Sequence, residues 1–347
     1  MTDLINLRSD TQTLPTEEML EAMKNAPLGD DTYDEDPTVQ KFEAMAASVL
    51  GKEAAMLVIS GHMGNLSSLM AHAKPGDEVL LDPESHIFYY EAGSMANIAG
   101  LMPMPVRAEG GMMDPSDLQR AIRSKNMHYP VPRLLCLENT HNRSGGRAMP
   151  LDLHKQLCAV AREHGLSIHL DGARIFNAAA KFRIPAASFA AEVDSVMFCL
   201  SKGLSCPLGS VVAGSREFIN RADFCRKRLG GGMRQAGIIA AAGIVALEKM
   251  VDRLADDHAT AQVLANGLKD LYGLRIDMST VETNMVYVDH SGSGLSTNEI
   301  LSKWKQAGVL AGGRPPFHVR LVTNRHHDRP IIEEAIRRIK SVMEVPR

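Results

Sequence analysis

The stretch Ser167-Ile168-His169-Leu170-Asp171-Gly172-Ala173-Arg174 reads as a short apolar strand that ends on a carboxylate and turns at a glycine. A second stretch, Asp194-Ser195-Val196-Met197-Phe198-Cys199-Leu200-Ser201-Lys202-Gly203, repeats the design with a lysine in place of the carboxylate. Strands that are apolar on both faces belong to a sheet covered on both sides by helices, and such sheets are mostly parallel. Open sheets of this kind bind ligands beyond the carboxyl ends of their strands. Asp171 and Lys202 are therefore expected over the same sheet edge.

Working outward, further apolar runs at 54–59, 78–81, 134–137 and 209–213 alternate with amphipathic stretches at 114–124 and 151–163. Pro15-Thr16-Glu17-Glu18 and Pro37-Thr38 are helix starts, and the second helix ends at Gly51. A long helical pattern over 236–271, broken near Asp252, leads to strands near 283–288 and 318–322 and a last helix from Pro330. This alternation predicts an α/β fold, a mostly parallel sheet flanked by helices, with a smaller C-terminal α+β domain. The expected division is an N-terminal arm over 1–15, a large domain over 16–247 and a small domain over 248–347.

Composition narrows the function. A net charge of −3 gives no reason to expect nucleic acid or an anionic membrane as partner. The apolar run over 236–247 is too short to span a bilayer. The five cysteines are scattered and contain no CxxC pair, so they read as reduced thiols of a cytoplasmic protein. No metal-cage spacing occurs among the histidines, cysteines and acids, and no metal is expected. The basic cluster over 221–228 reads as a solvated helix face.

A carboxylate in the position of Asp171 either caps a helix or pairs with a protonated pyridine nitrogen, which makes that ring a better electron sink. A lysine amine at the end of a buried strand is desolvated and can attack an aldehyde. Together Lys202 and Asp171 specify pyridoxal 5'-phosphate better than either does alone. Ile59-Ser60-Gly61-His62-Met63-Gly64-Asn65 is a strand-to-helix turn whose free N–H groups suit a phosphate. Gly230-Gly231-Gly232-Met233-Arg234-Gln235 is either a phosphate-facing loop, with Arg234 supplying charge, or a flexible connection. His86 follows a predicted strand and is placed to lie against a cofactor ring. His128 is less well placed, and His326 and His327 read as solvated.

The segments LRSDTQTLPT (7–16), GDDTYDEDPTV (29–39), ESHIFYYEAG (84–93), HLDGARIFNA (169–178), CLSKGLSCPLGS (199–210), GGGMRQAG (230–237) and VRLVTN (319–324) resemble the L-threonine aldolase family of fold-type I pyridoxal-phosphate enzymes. The resemblance spans almost the whole chain. It implies that Lys202 is the Schiff-base lysine, Asp171 the ring-nitrogen partner and His86 the stacked histidine. It implies that Ser9, Arg174 and Arg320 hold the amino-acid carboxylate, that Gly61, with His62 beside it, and Arg234 contact the phosphate, and that His128 lies near the substrate side chain. It further implies cleavage of threonine, allo-threonine or a related β-hydroxy-α-amino acid to glycine and an aldehyde. The site is implied to sit at a subunit interface of a homodimer or homotetramer. Three positions depart from the family pattern: His62 replaces a threonine, Asp34 a glycine and Asn324 a histidine. A β-eliminating lyase of the same fold is the alternative reading. A mere cofactor carrier is disfavoured, because it needs no carboxylate clamp.

Overall fold

Thr16 accepts a hydrogen bond from Met19 N–H at the start of helix α1 (Glu17–Lys24). Asp36 does the same for Thr38 and Val39 at the start of α2 (Pro37–Leu50), which Gly51 closes in the left-handed conformation. These caps put the first two helices where the sequence signals placed them. The computed structural model describes residues 4–343. Residues 1–3 and 344–347, at the ends of the expected arm and small domain, lie outside the described residues.

The central sheet has seven strands: β1 (Ala54–Val58), β2 (Glu78–Leu81), β3 (Met102–Pro105), β4 (Pro132–Glu138), β5 (Ser167–Asp171), β6 (Ser195–Cys199) and β7 (Ser210–Gly214). Their spatial order is β1-β7-β6-β5-β4-β2-β3. All neighbours pair in parallel except β7, which is antiparallel to both β1 and β6. Strands β2, β6 and β7 are buried at every residue, as expected of a sheet covered on both faces. The edge strand β3, Met-Pro-Met-Pro, carried no strand signal. It has no β-branched residue, and its two prolines are tolerated because an edge strand need not donate on both sides.

Helix α3 (Gly61–His72) follows β1, and α4 (Leu151–Glu163) follows β4. The predicted long helix is two helices, α5 (Gly237–Lys249) and α6 (Leu254–Leu268), with the break at 250–253. A three-stranded antiparallel sheet follows, β8 (Met285–Asp289), β9 (Gly312–Arg314) and β10 (His318–Val322), in the order β8-β10-β9, and α7 (Arg329–Met343) closes the chain. This sheet has its own apolar core, which includes Trp304, Leu321 and Ile339 together with Ile5 and Leu7. The N-terminal arm is not simply extended. Ile5–Asn6 pairs in parallel with Val309–Leu310, and Asp10–Gln12 forms a 3-10 turn.

Two sequence readings fail on burial. Arg226 is buried, donating to Leu57 O at 2.8 Å and to Asp223, so the 221–228 cluster is not wholly a solvated face. His327 is buried too; its Nδ1 accepts from Asn324 N–H, and burial pushes its pKa down to about 4. Local charge density misled in both cases, because it does not report which side of an element packs.

Candidate active site

Parallel strands direct their carboxyl ends to one edge, and there the structure gathers a cavity of about 220 Å³. Asp171 is the last residue of β5, and Lys202 lies three residues beyond the end of β6. Both line the cavity, with His86, Glu138, Arg174, Ser9, Arg314 and Arg320. Lys202 is half-buried, and its turn is fastened to the N-terminal arm by Thr13 Oγ1, which donates to Lys202 O at 2.8 Å.

Asp171 is 1% exposed. One oxygen accepts from Ala173 N–H at 3.0 Å, a local turn bond, while the helix that follows starts at Ile175 without a side-chain cap. The other accepts from Asn65 Nδ2 at 2.9 Å. The same amide nitrogen donates to Glu91 Oε1 at 2.8 Å. Glu91 is buried with its other oxygen unpartnered, and burial, then the Asp171 charge, pushes its pKa up to about 9. Glu91 is therefore a neutral acid at neutral pH. Asn65 Oδ1 lies 3.1 Å from His169 Nε2, and His169 continues through Ser195 to His72, a polar chain that leaves α3 at Asn65 and returns to its last residue. Asn65 and Glu91 were not singled out from the sequence. Asn65 follows the glycine turn on α3 and Glu91 sits five residues after His86, so proximity to quoted motifs was the one available signal.

His86 opens a short helix, and its N–H donates to Glu138 Oε2 at 2.6 Å. Its Nε2 lies 3.7 Å from Glu91 Oε1, and burial lowers its pKa, keeping the ring neutral. Burial also raises the Glu138 carboxyl, whose second oxygen accepts from Asn142 N–H at 2.8 Å.

The guanidinium groups form the floor. Arg174 grips Asp10 with two bonds, Nε to Oδ2 and Nη2 to Oδ1, both 2.7 Å. Burial alone would raise Asp10, but the Arg174 charge and bonds outweigh it and hold the carboxyl well below its ordinary value. Arg320 donates from Nη1 to Asn142 Oδ1 at 2.7 Å and from Nη2 to Arg8 O at 3.1 Å, while its buried Nε has no partner. Burial, then the nearby Arg314 and Arg174 charges, pushes its pKa down to about 10. A desolvated cation without an acidic partner is a seat for an anion. Ser9 lines the same floor and caps the Asp10–Gln12 turn.

Not every residue singled out from the sequence reaches this cavity within one chain. Gly61 is the first residue of α3, whose first-turn N–H groups lack intrahelical partners by geometry. A Cβ there would lie 2.9 Å from Cys199 Sγ, so only glycine lets the helix start this close to β6. Beside it, His62 Nε2 meets Ser94 Oγ at 2.8 Å. Arg234 is outside the lining, paired with Asp30 at 2.9 Å and largely exposed. His128 is on an exposed loop and also outside it. No three His, Cys, Asp or Glu side chains cluster as a metal cage among the described residues.

The profile of the beta-eliminating lyase family matches residues 6–291. The chain is 43% identical over 328 residues to low-specificity L-threonine aldolase 1 of Arabidopsis thaliana, covering 93% of this chain and 91% of that one. It is 39% identical over 322 residues to the low specificity L-threonine aldolase of Escherichia coli K12, covering 92% and 94%. The chain belongs to the L-threonine aldolase family. Its fold is shared with Leishmania major threonine aldolase, at TM-score 0.83, 18% identity and coverage of 97% and 98%. It is shared as well with Sphingomonas wittichii serine palmitoyltransferase, at TM-score 0.76, 19% identity and coverage of 98% and 87%. The family's cofactor is pyridoxal 5'-phosphate. The residues present fit it: an amine for the aldehyde, a buried carboxylate for the ring nitrogen, an imidazole for the ring face and a helix start for the phosphate.

Two of this chain's departures from the L-threonine aldolase family pattern have a physical reading. Asp34, where the family has glycine, sits at φ 57° and ψ 33°, a left-handed conformation that aspartate tolerates better than most side chains. Asn324 is buried, bonded to the His326–His327 turn and outside the cavity lining.

Proposed function

We propose that this protein is a pyridoxal-phosphate aldehyde-lyase that cleaves L-threonine, L-allo-threonine or a related β-hydroxy-α-amino acid to glycine and an aldehyde. The observation that carries this reading is the placement of an amine, a buried carboxylate and a guanidinium without an acidic partner in one small cavity. When bound, the cofactor supplies an aldehyde to the amine and an electron sink for the pair released at Cα.

The chain's own groups do the rest. Arg320, with the arginine face of Arg174 and the Ser9 hydroxyl, holds the substrate carboxylate and so orients the Cα–Cβ bond. Asp171, oriented by Asn65 and the Ala173 N–H, would meet the ring nitrogen. His86, neutral through burial, accepts the β-hydroxyl proton directly or through a water. Lys202 is the amine that bonds the cofactor and, once released by substrate, can return a proton to Cα.

The chain is proposed to act as a homodimer or homotetramer whose sites lie between subunits. This is supported by Arg234, which lies outside its own chain's cavity, exposed, paired with Asp30 and beside the exposed Tyr33 ring. The proposed division into an arm (1–15), a large cofactor-binding unit (16–247) and a small unit (248–347) is supported by the separate core of the small sheet. A cytoplasmic location is supported by five unpaired, buried cysteines, and no described helix is long and apolar enough to cross a membrane.

The test is product analysis with threonine, allo-threonine, phenylserine and serine. Glycine plus an aldehyde is expected. A keto acid plus ammonia would instead assign the β-eliminating chemistry that the matched family profile is named for.

A further inference from the structure

The cavity holds more positive charge than one amino-acid carboxylate can match. Arg174 is matched by Asp10, and Arg143 at the rim is matched by Glu84 at 3.2 Å. Arg314 also lines the cavity, yet among the described residues it makes no ion pair. Its Nε donates to Tyr287 Oη at 3.4 Å and its Nη1 to Gly313 O at 3.0 Å, and its guanidinium carbon lies 6.0 Å from the Tyr90 ring centroid.

Strand register explains why it points inward. On β9 and β10, Arg314 lies opposite His318, and Arg320 is two residues further along the same strand. Residues two apart on a strand share a face, so Arg314 and Arg320 are diagonal neighbours, about 7–8 Å apart with their Cβ atoms somewhat closer, and their long side chains can meet one ligand. Burial, and after it the Arg314 charge, lowers the pKa of Arg320. With threonine bound, Arg314 would face a methyl group and its charge would stay unmatched. A second anionic group on the substrate would settle it, and the cavity of about 220 Å³ admits only a small one.

We infer that Arg314 selects β-hydroxy-α-amino acids whose Cβ carries a carboxylate, with Arg320 taking the α-carboxylate and Arg314 the second. This deepens, and rests on, the aldolase reading. L-3-Hydroxyaspartate is the simplest such compound. Its cleavage breaks the Cα–Cβ bond, the β-hydroxyl proton leaves as the new carbonyl forms, and a proton is delivered to Cα. Glycine and glyoxylate then account for every atom, with no oxidant or reductant.

The experiment compares kcat/KM of the cofactor-loaded enzyme for both diastereomers of L-3-hydroxyaspartate and for L-threonine, in the native protein, Arg314→Gln and Arg314→Lys. The expected result is a hydroxyaspartate-to-threonine ratio above one in the native protein for at least one diastereomer. That ratio should fall at least tenfold in Arg314→Gln and be largely kept in Arg314→Lys, which retains the charge and serves as the check that the hairpin folds. A ratio below one for both diastereomers, or equal losses on both substrates in Arg314→Gln, overturns the role given to Arg314 and leaves the aldolase reading standing. No cleavage of any β-hydroxy amino acid by the native protein overturns both.

Discussion

Arg174 and Asp10 form a two-pronged ion pair, 2.7 Å on each arm, with Asp10 fully shielded from solvent. The pair ties the N-terminal arm to the turn after β5, three residues past its end, and Arg174 also lines the cavity. Replacing Asp10 by Asn leaves a buried guanidinium with a neutral partner, and removal of one member of such a pair costs about 3–5 kcal/mol. Because Asp10 is held below its ordinary value in the folded protein, its contribution is complete above the unfolded pKa near 4. It is lost as pH falls through the folded value. Urea denaturation of D10N should therefore show a large loss at pH 7 and a smaller gap from the native protein at pH 3.

Glu91 behaves in the opposite sense. Its folded pKa of about 9 lies above the unfolded value, so the folded state keeps a proton that the unfolded state releases. Stability then falls as pH rises between those two values, at most by about 1.4 kcal/mol per pH unit. Glu91→Gln, isosteric and neutral, should be close to the native protein at pH 5 and more stable at pH 8. Melting temperatures at the two pH values check this; an equal offset at both would mean that Glu91 is ionised in the fold.

Lys202→Ala should abolish the visible absorbance of bound cofactor and the cleavage activity together, with the melting temperature of the cofactor-free protein little changed. Borohydride reduction of the loaded native enzyme, followed by peptide mapping, should tag Lys202 and no other lysine.

Substitution of His86 by Phe should lower the cleavage rate by roughly 10²–10⁴-fold, the usual worth of a positioned proton acceptor. The His128→Phe change should do much less, because that side chain is outside the cavity within its own chain. Burial lowers the His86 pKa, so the acid limb of native kcat/KM should fall below the ordinary histidine value near 6.5. Loss of that limb in His86→Phe distinguishes proton transfer from ring support.

Mixing inactive Lys202→Ala and Arg234→Ala proteins under conditions of subunit exchange should restore activity, up to about a quarter of the native level for random dimers with one intact site in each mixed pair. No recovery on mixing would place Arg234 in its own chain's site or in none.

Most of the strands, most of the helix boundaries and the pairing of Lys202 with Asp171 over one edge were legible in the linear chain, whereas the edge strand β3 and the short β9 were not. They rest on local physics: apolar runs that must be buried, capping side chains and glycine stops. The tertiary structure alone decided that Asp10 answers Arg174, that Asn65 joins Asp171 to a neutral Glu91, and that Arg314 and Arg320 share a face without a matching acid. Each of these joins residues brought together by strand register or helix packing, and a carboxyl's protonation or a guanidinium's missing partner depends on burial. Neither burial nor register is written in the residues beside them.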